Sequence, residues 1–242
     1  MSSAVRRLMA ATTTLCSRVD DLTFGPPVAC VYNPMRYARA VWDTYLARFA
    51  SGRKRIVFVG MNPGPWGMAQ TGIPFGEVAA VRDWLGLHGR VDRPAVEHPK
   101  RPVEGFACGR SEVSGRRLWG LMAGRFGTPE RFFAEHFVAN YCPLVFMTAT
   151  GSNITPDKLP AAKRDPLFAA CDDFLRAIVD ELLPGHVVGV GKFAAERSQV
   201  ALAGADHCPD VAAILHPSPA SPAANRDWAG QASAQLTGLG LW

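Results

Sequence analysis

Apolar residues at 37, 38, 41, 42, 45, 46 and 49 recur with helical period and predict a helix over residues 34–50. The pattern then changes. Arg55-Ile56-Val57-Phe58-Val59 is a continuous, β-branched run that stops at Gly60, as expected of a strand buried on both faces. Glu77 to Leu85 reads as a short helix with an acidic residue at its positive end. Another helix begins at Ser114, with Leu118, Leu121, Met122 and Phe126 inward. A third starts at Thr128-Pro129-Glu130, a cap followed by proline. Phe137 to Pro143 predicts the second strand and its exit, and residues 147–163 a loop. Asp165-Pro166 then caps a long helix whose apolar positions run from Leu167 to Leu183 and which Gly185 ends. His186 to Gly191 is the third strand, and Lys192 opens the next helix. Val211 to Leu215 is the fourth strand, and Ser221 with Pro222 caps a final helix.

This alternation predicts an α/β fold, a three-layer αβα arrangement around a central four-stranded parallel sheet. One domain is expected over residues 1–242, with 1–22 a helical or flexible extension. Open sheets of this kind bind ligands beyond the carboxyl ends of their strands. Asn62, Asn140, Lys192 and His216 each follow a different strand, so all four should converge on one edge.

The segment after the first strand stands out. Residues 60–77 hold five glycines and three prolines but no lysine or arginine. Glycines let backbone approach a ligand closely, and prolines stiffen the path. The familiar phosphate-binding glycine patterns are missing. The polar side chains are Asn62, Gln70, Thr71 and Glu77, with Met61, Trp66 and Phe75 as apolar surfaces. That inventory suits a flat, neutral, hydrogen-bonding ligand.

Charge widens the picture. A net charge of +5 permits a polyanionic partner. Residues 86–112 concentrate the basic side chains, among them Arg90, Arg93, Lys100, Arg101 and Arg110. They form either a solvated insertion or a surface that follows a phosphate backbone. Lys192, at a helix start, is either solvated or a phosphate ligand. The six cysteines form no Cys-x-x-Cys pair and read as reduced. No metal or other cofactor is called for. No run reaches the ~20 apolar residues of a membrane span.

Two segments carry a resemblance. Gly60-Met61-Asn62-Pro63-Gly64-Pro65-Trp66-Gly67-Met68-Ala69-Gln70-Thr71-Gly72-Ile73-Pro74-Phe75-Gly76-Glu77 and His216-Pro217-Ser218-Pro219 closely resemble the two signature motifs of the single-strand-selective monofunctional uracil-DNA glycosylases, a branch of the uracil-DNA glycosylase superfamily. Asn140-Tyr141-Cys142-Pro143-Leu144 belongs to the same similarity, which runs from about residue 30 onward. The resemblance implies hydrolysis of the N-glycosidic bond of uracil, and of oxidised uracils such as 5-hydroxymethyluracil, in single- and double-stranded DNA. The base would be flipped out and an abasic site left.

By the same resemblance Asn62 orients the attacking water and His216 bonds uracil O2. Phe75 stacks on the base and Asn140 reads its edge, while Met61, Gly64 and Met68 shape the pocket. Pro217, Ser218, Pro219, Ala220, Ser221, Asn225 and Arg226 form the segment that wedges into DNA. Lys192 is a further candidate DNA contact from its place at a helix start alone. The wedge departs from the family pattern, with Ala220-Ser221 where vertebrate members carry Arg-Asn. The family implies a monomer, cytoplasmic and nucleoid-associated in a bacterium or nuclear in a eukaryote. Two other readings stay open: a base preference shifted toward deaminated purines such as xanthine, and a nucleic-acid-binding module that has lost its chemistry.

Overall fold

The computed structural model describes residues 1–242. Its centre is a parallel sheet of β2 (Ile56–Gly60), β3 (His136–Asn140), β6 (His186–Val190) and β7 (Asp210–Ile214), in the order β3-β2-β6-β7. Every residue of β2 and β3 is buried. Polar and half-exposed positions collect on β7, an edge strand with a side open to solvent.

The pleat assigns the layers. Val57, Val59, Phe137 and Gly189 share one face by register. There Phe137 packs on Tyr45 of α3 (Arg39–Phe49), and Gly189 lies against Ala195 of α8 (Lys192–Leu202). The long α7 (Ala161–Leu182) packs beside α8. On the other face Phe58 stacks on Phe132 of α6 (Pro129–Phe133), next to Trp119 of α5 (Val113–Phe126). The last helix, α9 (Pro222–Gly238), packs on α5 and β7. The predicted three layers and four parallel strands are present.

Local departures have identifiable causes. The N-terminal segment is α1 (Ser3–Asp20), which buries Val5, Leu8, Leu15, Cys16 and Val19 and packs on α7. Its Thr12 accepts a hydrogen bond from the Trp42 indole at 3.0 Å, so this segment is docked helix. The helix foreseen over 34–50 breaks at Ala38 into α2 (Pro34–Tyr37) and α3. Beside that break the Tyr37 hydroxyl donates to the Ala69 carbonyl at 2.6 Å, tying α2 to α4 (Met68–Thr71), a single turn within the glycine-rich segment. The helix expected to start at Asp165-Pro166 starts at Ala161. Pro166 lies inside it, removing one N–H, and nine buried residues of the stripe outweigh that loss.

The expected loop at 147–163 is partly ordered as sheet. β1 (Cys30–Tyr32), β4 (Val145–Met147) and β5 (Asn153–Ile154) form a small antiparallel sheet. Its pairing joins segments more than a hundred residues apart, and strands this short leave no legible period. All six cysteines are free thiols, and only Cys208 is exposed.

Candidate active site

Pairing continues beyond the ends of β2 and β3. Tyr141 N–H donates to the Gly60 carbonyl and Cys142 N–H to that of Met61, both at 2.9 Å. This brings Asn62 level with Leu144, whose carbonyl accepts from Asn62 Nδ2 at 3.1 Å. The amide nitrogen is thereby engaged, and Oδ1 is left to accept a hydrogen bond from elsewhere. Asn62 lines a cavity of about 330 Å³ at the carboxyl edge of the sheet, together with Met61, Gly64, Phe75, Asn140 and His216.

Asn140 ends β3 directly across from Gly60. Its Nδ2 donates to the Met68 sulfur at 3.3 Å. A Cβ at Gly60 would strike the Asn140 amide oxygen and would lie 2.6 Å from Cε2 of Phe75. Glycine is required there because amide and ring both close over the strand end. Phe75 itself holds a positive φ of 52°, a conformation of order 1–3 kcal/mol unfavourable for a non-glycine residue. The Trp119 indole donates to its carbonyl at 3.1 Å and holds it there.

His216 follows β7. Both polar backbone groups of the preceding Leu215 are tied to α9: its N–H donates to Gln235 Oε1 at 2.8 Å, and its carbonyl accepts from the Trp228 indole at 2.6 Å. Burial pushes the imidazole below its usual range, so the ring is neutral at pH 7. Its ring centroid lies 6.3 Å from that of Phe75.

The remaining predicted residues divide. Met68 is fully buried behind Asn140 and steadies its amide, without lining the cavity. Lys192 is exposed, pairs with Glu196 at 3.5 Å, and stands outside the cavity. Ser218 lines the cavity, while Pro219, Ala220 and Arg226 are exposed beyond it. Arg117 braces this segment, donating to the Pro217 carbonyl at 3.0 Å and to Asn225 Oδ1 at 2.9 Å. Asn225 also donates to the Pro219 carbonyl at 2.8 Å, so its side chain shapes the loop. Ser221 caps α9, accepting from the Ala224 N–H at 3.3 Å.

Gln70 and Thr71 are structural. Gln70 donates to the Pro65 and Pro102 carbonyls, both at 3.0 Å, and accepts from the N–H groups of Glu104 and Gly105. It staples the glycine-rich segment to residues 102–105. In the basic insertion Arg90 pairs with Asp92 and Arg93 with Glu97. Arg101 and Arg110 instead stack on Trp66, at 5.1 and 4.5 Å from the ring centroid.

Sequence reasoning missed Glu112, Ser114, Asn153 and Thr155, all of which line the cavity. Glu112 sits at the end of a basic stretch and reads as a solvated charge. Its position against residues 64–67 is set by folding alone. Asn153 and Thr155 arrive on the small sheet. No group of three or more His, Cys, Asp or Glu is placed to hold a metal ion.

A parallel sheet covered by helices on both faces, whose strand exits bring two asparagine amides, a neutral imidazole and an aromatic ring into one concave site, defines an α/β ligand-binding or catalytic fold. The family model for the uracil DNA glycosylase superfamily matches residues 47–236. A single-strand selective monofunctional uracil DNA glycosylase of Bos taurus is 50% identical over 227 residues, covering 94% of this chain and 84% of the bovine protein. The corresponding Rattus norvegicus protein is 48% identical, with 94% and 82% covered. The solved structure of wild-type Pedobacter heparinus SMUG2 superposes with a TM-score of 0.70 at 16% identity, covering 99% of both chains, and shares the fold. The chain belongs to the single-strand selective monofunctional uracil-DNA glycosylases, within the uracil-DNA glycosylase superfamily.

Proposed function

We propose that this enzyme hydrolyses the N-glycosidic bond of uracil and of 5-oxidised uracils in DNA, acting on a flipped base and leaving an abasic site. The observation that carries this reading is the meeting of Asn62, Phe75, Asn140 and His216 in one cavity of about 330 Å³. A base inside a duplex is inaccessible and must be extruded, at a few kcal/mol, less when it is mismatched or single-stranded. Stacking on Phe75 returns part of that, about 1–3 kcal/mol per base. Asn140 offers a donor and an acceptor, which suit uracil O4 and N3–H. Cytosine presents the reverse pattern, and the Met68 contact keeps the amide from turning to meet it.

Bond cleavage puts negative charge on the leaving base. A neutral His216 donating to O2 stabilises that charge; a comparable preorganised donor is worth about 2.7–4 kcal/mol. With its nitrogen held by Leu144, Asn62 presents Oδ1 to one proton of the attacking water. An amide is a weak base, so the water is positioned and attacks an already cationic sugar. The segment 217–226, braced by Arg117, stands at the cavity mouth and is suited to enter the stack.

The test uses end-labelled single-stranded oligonucleotides carrying uracil, 5-hydroxymethyluracil or xanthine. The expected product is a strand broken only after alkali, from the first two substrates. Release of xanthine alone would move the assignment to deaminated purines. Absence of any alkali-labile site would reduce the protein to a binding module, and cleavage without alkali would contradict monofunctional action.

A further inference from the structure

The basic insertion holds two arginines without a carboxylate partner. Arg90 and Arg93 pair with Asp92 and Glu97, whereas neither Arg101 nor Arg110 enters an ion pair. Both stack instead on Trp66. With Lys100 they line an open cleft of about 480 Å³, in which Glu104 is the acidic wall residue. Three cationic side chains thus face one carboxylate there. Glu112, two residues after Arg110, is a weak counter-charge at pH 7: its carboxyl end is enclosed, and burial with the like charge of Glu77 raises it to about 7.

The platform arranges these cations for an anion. Stacking fixes the plane of a guanidinium and leaves its N–H edge free to bond an acceptor. Arg101 Nε is enclosed, and Nη1 donates to the Lys100 carbonyl at 2.8 Å, so Nη2 is the end left for an outside group. Arg110 is exposed, and its guanidinium engages only the ring. Two like charges held on one ring repel, and an anion shared between them offsets that repulsion. Phosphate oxygens suit a guanidinium fork particularly well.

The cleft adjoins the excision cavity through three chain segments. Trp66 lies two residues past Gly64, and Arg110 two before Glu112. A Cβ at Gly151, two residues before Asn153, would lie 3.4 Å from Arg101 Cζ. Gly64, Glu112 and Asn153 all line the cavity. Two residues span at most ~7 Å of chain. Phosphates follow one another every ~3.4 Å along a stacked strand, and further apart in an extended one, so this is the reach of the first or second phosphate from the extruded nucleotide. We propose that Trp66, Arg101 and Arg110 form a phosphodiester-binding subsite that grips the DNA strand one or two linkages from the extruded base. This rests on the uracil-excision reading and adds a backbone contact to it.

Single-stranded uracil oligonucleotides in which one linkage at a time is a neutral methylphosphonate locate such a subsite. Binding is read by fluorescence anisotropy, and excision under single-turnover conditions, for wild type, Arg101→Gln/Arg110→Gln, Trp66→Leu and the control Arg90→Gln. In the wild type, a methylphosphonate at one linkage within two of the uracil should weaken binding about tenfold, the low end for hydrogen bonds to a charged group. The double variant should lose about tenfold on unmodified DNA and then respond to the methylphosphonate at that linkage by no more than about twofold. Trp66→Leu keeps both charges without their platform and should bind about threefold less tightly. Arg90→Gln should keep the wild-type sensitivity. An equal methylphosphonate penalty in wild type and double variant, or no sensitive linkage within two of the uracil, overturns the proposal. Should Trp66→Leu fail to fold, the arginine variant decides alone. Uracil release with a penalty indifferent to the two arginines sinks only this proposal, whereas no release by the wild type sinks the excision reading itself.

Discussion

Replacing Glu112 with glutamine should stabilise the protein at pH 8 and leave it nearly unchanged at pH 5. In the native state the carboxyl titrates at about 7, against 4.5 for a free glutamate. That difference corresponds to roughly 3 kcal/mol, because one pH unit of displacement is about 1.4 kcal/mol. The sign follows from proton binding. Between 4.5 and 7 the native state holds a proton that the unfolded chain has released, so wild-type stability declines across that window and levels off above it. An amide has no proton to lose. Allowing for partial ionisation of the unfolded chain at pH 5, the advantage of Glu112→Gln should grow by about 2–3 kcal/mol from pH 5 to pH 8. Urea denaturation followed by tryptophan fluorescence would read this as a midpoint difference widening by about 0.5–1 M, given ordinary urea slopes. A stability difference that stays constant with pH would show that the carboxyl is hydrated and ordinary, and the enclosed neutral acid would be refuted.

Gly60→Ala should lower single-turnover uracil excision at least about tenfold while costing only about 1–3 kcal/mol of stability in urea, since the added methyl strikes the Asn140 amide and the Phe75 ring. Equal excision by the variant would remove both side chains from base recognition. Arg117→Ala frees the 217–226 segment from three hydrogen bonds, to the Pro217 and Ser218 carbonyls and to Asn225, and should reduce excision from duplex DNA about fivefold more than from single strands, as expected for about 1 kcal/mol of bracing. An unchanged duplex-to-single-strand ratio would deny that segment a wedging role. Replacing Arg101 and Arg110 together with alanine should flatten the salt dependence of DNA binding by up to about two in the log–log slope. The same change at Arg90 and Arg93, which are paired with Asp92 and Glu97, should do less. The reverse order would place the DNA path over the outer insertion.

The central sheet was legible because its strands are buried on both faces. Runs such as Ile56–Val59 and Val187–Val190 have no polar alternation to confuse, and all four predicted strands start within one residue of the observed ones. The convergence of Asn62, Asn140 and His216 follows from that topology, since each lies at or two residues beyond a parallel strand's end. Lys192 obeys the same rule yet points into solvent, because a strand exit fixes where a residue lies and leaves its direction free.

What remained hidden depends on contacts distant in sequence. Glu112 reaches residues 64–67 from the far side of the basic insertion, so nothing nearby marks it as enclosed. Gln70 looked like ligand chemistry and is consumed by four backbone groups, two of them in residues 104–105. The small sheet of β1, β4 and β5 joins three-residue and two-residue strands, too short for any periodic signal. A proline usually marks a helix start, so Asp165-Pro166 hides the true beginning at Ala161, and nine buried positions carry the helix through Pro166.

Single-turnover excision of uracil from single-stranded DNA by Asn62→Ala and by His216→Ala tests the account most directly. Each variant should bind the same oligonucleotide and excise at least about a hundredfold more slowly, the low end for a positioned catalytic group. Wild-type rates from both variants would mean that the amide and the imidazole at this edge of the sheet are bystanders to the chemistry.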